Sequence, residues 1–189
     1  VLQNIGRRHT AHEVLEAYAL AREIGFDVIN MDTIAGLEGD TPESFAHTID
    51  TLIGLEPENI TVHTLAIKRG ADLTDKGANA AQHDRVQAML TAANAALSAA
   101  GYGPYYLYRQ KFTAGGFENV GWCKPDTESL YNIAMMEELQ TIVSTGAGGV
   151  SKRVDRASGK ITRFTNPKYL KEYIEAGEHC LLGKRHLLL

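Results

Sequence analysis

Asp32 stands near the end of an apolar run, in the stretch FDVINMDTIAGLEGDT that spans residues 26–41. A carboxylate in such a run must be hydrogen-bonded or paired, because burying it alone is costly. Side chains alternate along a strand, so Val28, Asn30, Asp32 and Ile34 share one side and Ile29, Met31 and Thr33 the other. One side thus carries Asn30 and Asp32 together. Two readings compete: a ligand contact at a strand end, and a structural salt bridge or cap for the turn that follows. Lys68, Arg69, Arg109 and Lys111 cluster after two further strand-like runs. Cations there suit an anionic substrate, and arginine suits carboxylates bidentately; solvated surface charge is the alternative. His63, in ITVHTLAIK, reads as a core histidine, since no His or Cys stands at ligand spacing from it. Gly146-Ala147-Gly148-Gly149, with Lys152 nearby, evokes a phosphate loop, but the Walker spacing is absent and a structural glycine turn fits better. Alone, these residues describe an α/β site for a small anionic molecule.

The elements that must position them follow from pattern. Thr10-Ala11-His12-Glu13 is a capping box. Val14, Ala17, Tyr18, Ala21 and Ile24 then recur at helical spacing, and Gly25 ends the helix. Residues 27–34 read as a strand. Thr41-Pro42 opens a second helix with Phe45, Ile49, Leu52 and Ile53 on its apolar face. Ile60 to Ile67 is a second strand. Asn79 to Gln82 caps a third helix carrying Val86, Met89, Leu90, Ala93 and Leu97, stopped at Gly101. Tyr105 to Gln110 is a third strand. This alternation predicts a parallel sheet with helices packed on it, and chemistry at the carboxyl ends of the strands.

Beyond residue 111 the pattern changes. Residues 113–129 read as a loop, Leu130 to Ala134 as a short strand, and Met135 to Leu139 as one helical turn. Ser151 to Asp155 and Lys160 to Phe164 flank Arg156-Ala157-Ser158-Gly159, the pattern of a β-hairpin. Asn166-Pro167 starts a last helix with Tyr169, Leu170, Tyr173 and Ile174 as its buried stripe. No further domain boundary stands out.

The 189 residues are 44 % hydrophobic and 22 % charged, the profile of a soluble globular domain. A net charge of -4 gives no electrostatic grip on nucleic acid. No apolar run approaches the roughly 20 residues of a membrane helix, and no signal peptide opens the chain. Cys123 and Cys180 are the only cysteines, which makes a reducing cytoplasm the expected compartment. The chain opens on Val1 and on a helix with no strand before it. A parallel sheet that opens this way is incomplete, so earlier strand–helix units are expected outside these residues. VLQNIGRRHT would then leave a strand's carboxyl end, with Arg7 and Arg8 on the active face. An open parallel edge also invites self-association.

The strings IGRRHT, AREIGF, NMDTIAGLEGDTPESF, LEPENITVHTLAIKR and STGAGGVS, in this order, resemble the radical S-adenosylmethionine enzymes of the oxygen-independent coproporphyrinogen III oxidase group. The match runs from residue 1 to about residue 155, and PYYLYRQKFTAGGFENVGW resembles the HemZ-like coproporphyrinogen dehydrogenase branch. The resemblance implies the second half of a partial (β/α) barrel with parallel strands over residues 1–111. It implies a family-specific extension over residues 112–189 that carries the hairpin and helix. It implies that Arg7, Asp32, Ala66 and Val150 contact S-adenosylmethionine, the first three in a second molecule of it. Lys68, Arg69, Arg109 and Lys111 would then meet the propionates of coproporphyrinogen III. The implied reaction is oxidative decarboxylation of two propionates to vinyl groups in haem biosynthesis. A 4Fe-4S cluster there reduces S-adenosylmethionine, and the 5′-deoxyadenosyl radical takes a hydrogen from the propionate. Two departures stand out: Gly36-Leu37-Glu38-Gly39 replaces the usual GLPG, and the CxxxCxxC cluster motif is absent. The chain alone is therefore expected to be inactive. A haem-trafficking relative without decarboxylase activity, and a non-enzymatic α/β interaction domain, remain alternatives.

Overall fold

The structure is a computed structural model and describes residues 1–65, 80–108 and 116–188. A short 3-10 turn, Leu2–Ile5, precedes helix α1, Ala11–Ile24. Thr10 and Glu13 form the expected reciprocal cap, and Gly25 takes the left-handed conformation that ends the helix. Strand β1 (Asn30–Ala35), helix α2 (Pro42–Leu55), strand β2 (Asn59–Thr64), helix α3 (Ala80–Ala99) and strand β3 (Gly103–Tyr108) follow in the expected order. Strand β4, Asn119–Cys123, comes next.

The chain divides into two compact units, Val1–Ser129 and Leu130–Leu189. The first holds a four-stranded sheet in the order β1-β2-β4-β3. Strands β1 and β2 are parallel, while β4 runs antiparallel to both β2 and β3. The three expected strands therefore point the same way, as the helix–strand alternation requires. The sheet is nevertheless mixed, because β4 is inserted between β2 and β3. That strand lies within residues expected to be a loop and expected to belong to the extension that begins at 112. Its asparagine and glycine are loop signals, but Val120, Trp122 and Cys123 have apolar neighbours to meet once β2 and β3 flank them.

One face of the sheet is covered. Met31, Thr33 and Ala35 of β1 and Ile60 and Val62 of β2 turn toward α2 and α3. The core there gathers Phe45, Ile49 and Leu52 of α2 with Val86, Met89, Ala93 and Leu97 of α3, plus Tyr102 and Trp122. Each such large apolar side chain contributes about 1.5–3 kcal/mol on burial. Helix α1 is held at its carboxyl-terminal half. Arg22 Nη2 donates to both oxygens of Glu58 at 2.7 and 2.8 Å, and Arg22 Nε donates to the Tyr18 hydroxyl. Tyr18 in turn donates to the Leu55 carbonyl at 2.7 Å, and Glu58 accepts the Ile29 amide. The expected apolar stripe of α1 is not buried. Val14 and Ile24 stay exposed, because no described element lies along that side of the helix.

The second unit comprises α4 (Leu130–Met136), a hairpin of β5 (Val150–Val154) and β6 (Ile161–Thr165), α5 (Leu170–Glu175) and α6 (Gly177–Leu188). The hairpin matches expectation, with Gly159 at a positive φ in its turn. Residues 130–134 are helical rather than extended: Leu130 to Met136 has no alternation to hold a strand, and Glu137 closes the helix onto Ile133. The expected last helix is two helices, and Tyr169, Leu170 and Ile174 are exposed rather than buried. Cys180 and Leu187 of α6 are the buried residues there, and the Phe164 ring lies against Gly183.

Candidate functional site on the open face of the sheet

The face of the sheet opposite α2 and α3 carries a line of polar side chains. Register places Asp32 of β1 beside Thr61 of β2, Thr61 beside Gly121 of β4, and Gly121 beside Tyr106 of β3. One row thus crosses all four strands. Asn30 Nδ2 donates to Asp32 Oδ1 at 2.7 Å. Thr61 Oγ1 donates to Asn30 Oδ1 at 3.0 Å and lies 3.4 Å from the Tyr106 hydroxyl. His63 Nε2 lies 3.7 Å from Asp32 Oδ1, within ion-pairing reach. The strands' two-residue period puts Asn30, Asp32, Thr61 and His63 on this one side, and the alternation read from the sequence holds.

Burial grades along the row. Thr61 is buried, while the Asp32 side chain is 60 % exposed and that of His63 33 % exposed. The His63 ring, then the Asn30 amide and the Thr61 hydroxyl, hold the Asp32 carboxyl below its ordinary value, against a partial desolvation that pushes it up. Asp32 is therefore an accessible, firmly ionised carboxylate with its orientation set by neighbours. Such a group accepts ammonium or hydroxyl donors. His63 is not the core histidine its apolar surroundings suggested; it faces the open side, against the carboxylate.

Of the other residues singled out from sequence, Arg7 is exposed at the end of the opening turn, its amide bonded to the Leu2 carbonyl. That turn reaches the loop after β1, where the Asn4 side chain abuts Gly39. Among the described residues Arg7 and Asp32 form no ion pair. Val150 opens β5 in the second unit, opposite Thr165. Ala66, Lys68, Arg69, Arg109 and Lys111 lie outside the described residues.

The glycine run 146–149 is a pinned structural turn. The Gly146 amide donates to the Tyr173 hydroxyl, the Gly148 amide to the Pro167 carbonyl at 2.7 Å, and the Gly149 amide to the Gly146 carbonyl. Asn166 closes it from both ends: its amide nitrogen donates to Gly149 and its side chain to the Gly146 carbonyl. A Cβ on Gly149 would stand 2.7 Å from Ser144 Oγ and 2.9 Å from the Thr145 carbonyl. These amides are spent on the chain itself. Lys152 is spent too, with its side chain 8 % exposed and Nζ donating to the Met135 carbonyl at 2.8 Å. The phosphate-loop reading of this turn thereby loses three of its amides and its lysine.

The fold is that of an α/β protein with a mixed sheet whose open face carries this polar row. No family model matches the chain. It is 47 % identical over 180 residues, 94 % of its length, to the oxygen-independent coproporphyrinogen-III oxidase-like protein HemZ of Bacillus subtilis (strain 168). The chain spans 36 % of that relative. It is 25 % identical over 178 residues to the haem chaperone HemW of Haemophilus influenzae, spanning 43 % of it. Among solved structures, it matches coproporphyrinogen III oxidase (HemN) from Escherichia coli, described as a radical SAM enzyme, with a TM-score of 0.62. That match is at 21 % identity and covers 95 % of this chain and 41 % of that one. The chain is thus similar in sequence to the HemZ oxidase-like protein and shares the fold of the HemN structure, and the resemblance carried by the motifs is borne out at that level.

Proposed function

We propose that these residues are part of an oxygen-independent coproporphyrinogen III oxidase, which converts two propionates of coproporphyrinogen III to vinyl groups with loss of carbon dioxide. The single observation that carries this reading is the 47 % identity, sustained over 94 % of the chain, with a coproporphyrinogen-III oxidase-like protein. Over a comparable length the identity with the haem chaperone of Haemophilus influenzae is 25 %. In this reading the first unit supplies part of the barrel wall and the second a family-specific extension, in a cytoplasmic protein.

The residues present suit S-adenosylmethionine. Its ammonium and ribose hydroxyls are donors, and Asp32 is an exposed, ionised acceptor facing the open side of the sheet. Arg7 is proposed to pair with its carboxylate and Ala66 to lie against it, while Val150, in the other unit, is proposed to contact a separate molecule of it. Lys68, Arg69, Arg109 and Lys111 are proposed to receive the substrate's propionates. A 4Fe-4S cluster does not fit these residues, since it takes more thiolates than the two buried ones here supply. The role of this chain is then to bind and orient the two organic ligands.

Anaerobic turnover of coproporphyrinogen III by the whole protein that carries these residues tests the reading. Formation of protoporphyrinogen IX is the expected result. Stoichiometric haem binding without any vinyl product would overturn it in favour of haem trafficking.

A further inference from the structure

Tyr106 reaches the site from the far edge of the sheet, and two features of the chain aim it there. Strand β3 shifts register between Pro104 and Tyr106, so Tyr105 is an extra residue relative to β4. A bulge of this kind re-aims the side chain that follows it. Here it brings Tyr106, rather than Tyr105, opposite Gly121. Gly121 then leaves the path open: a Cβ at that position would stand 1.9 Å from Tyr106 Cε1 and 2.4 Å from Cδ1. The ring lies across β4 where any other residue would block it, and its hydroxyl arrives at Thr61 on β2. Tyr106 is only 8 % exposed and Thr61 only 2 %, so this contact is sheltered from water.

The direction of the hydrogen bonds is fixed by what each group owns. An ionised carboxylate only accepts, so the Asn30 amide nitrogen donates to Asp32 and the Asn30 oxygen is turned to Thr61. Thr61 has one hydroxyl proton, directed to the Asn30 oxygen and the Asp32 carboxyl side of the row. With that proton so used, Tyr106 is the donor to Thr61. Every donor in the row points toward Asp32.

We propose that Tyr106 is a positioning residue for Asp32, acting through Thr61 and Asn30, with Gly121 and the bulge at Tyr105 serving to admit it. The proposal rests on the reading that Asp32 holds S-adenosylmethionine. Among the described residues, the titratable groups that register places on this face are His63 from β2, Tyr106 and Tyr108 from β3 and Cys123 from β4, and α2 and α3 pack on the other face. Each donor that stabilises the charged form of Asp32 lets it stay ionised to lower pH.

The test is S-adenosylmethionine binding to the whole protein by equilibrium dialysis across pH, for wild type, Tyr106→Phe, Thr61→Val, Thr61→Ser and Asp32→Asn. Tyr106→Phe keeps the ring that covers Gly121 and removes only the hydroxyl, so thermal unfolding serves as the check on folding. Weakening of roughly three- to ten-fold is expected, the range of one neutral hydrogen bond. The acid limb of binding should move to higher pH. Thr61→Val should reproduce both changes, and Thr61→Ser should restore wild-type binding. A Tyr106→Phe protein with wild-type affinity and acid limb, alongside an Asp32→Asn protein that has lost binding, would overturn the role of Tyr106 alone. Unchanged binding in Asp32→Asn would overturn the reading of Asp32 beneath it.

Discussion

Asp32 and His63 show how much a single pair can set at the residue scale. A hydrogen bond to a carboxylate favours its charged form, and the contact with the His63 ring is the largest influence holding Asp32 down. A carboxyl whose folded value lies below its unfolded value stabilises the fold fully above the unfolded value. That contribution is lost as pH falls through the folded one. His63→Gln removes the ring that holds Asp32 down and returns the carboxyl toward its ordinary value, so this contribution should shrink. The expected outcome is a urea midpoint that differs from wild type in mild acid and converges with it once both carboxyls are protonated. A constant offset at every pH would show that His63 acts by packing alone. Asp32 was legible from sequence because a charged residue in an apolar strand needs a reason. His63 was not, because its role depends on a diagonal contact with the neighbouring strand, and register is not written in either strand by itself.

At the scale of elements, β4 is the lesson. NVGWC carries a glycine at its centre and follows a glycine-rich run, so local pattern reads as loop. The glycine is there because the Tyr106 ring occupies the space above it, a demand made by β3 and invisible within β4. The residues that identify the strand are thus the same ones that hide it. The helices were easier, since the capping box at Thr10, the Thr41-Pro42 start and the 3.6-residue stripe of α2 are local statements that the structure repeats. Gly121→Ala should destabilise the first unit by about 1–3 kcal/mol through overpacking, read as a lower denaturation midpoint. Because the two residues touch, pairing it with Tyr106→Leu should recover part of the loss, and the two changes should not add. A strictly additive pair would mean that the ring lies elsewhere.

For the whole molecule, the placement of the thiols decides what chemistry these residues can host by themselves. Cys123 sits on β4 in the first unit and Cys180 on α6 in the second, and both are free and buried. Burial, with Glu128 nearby, pushes the Cys123 thiol up to about 11. The exposed apolar stripe of α1, with Val14, Leu20 and Ile24, and the single pairing of edge strand β1 describe a wall with further surface to cover. The polar row on the sheet and the iron chemistry proposed for the whole protein are therefore separable experimentally. Anaerobic reconstitution of the 189-residue chain with iron and sulfide should leave no stable charge-transfer absorbance and no stoichiometric iron after gel filtration. S-adenosylmethionine binding by the whole protein should still respond to Asp32→Asn when the cluster has been removed by chelation. Retention of a four-iron cluster by the isolated chain would mean that ligands other than these two cysteines hold it. The division of labour between the sheet face and the cluster would then have to be abandoned.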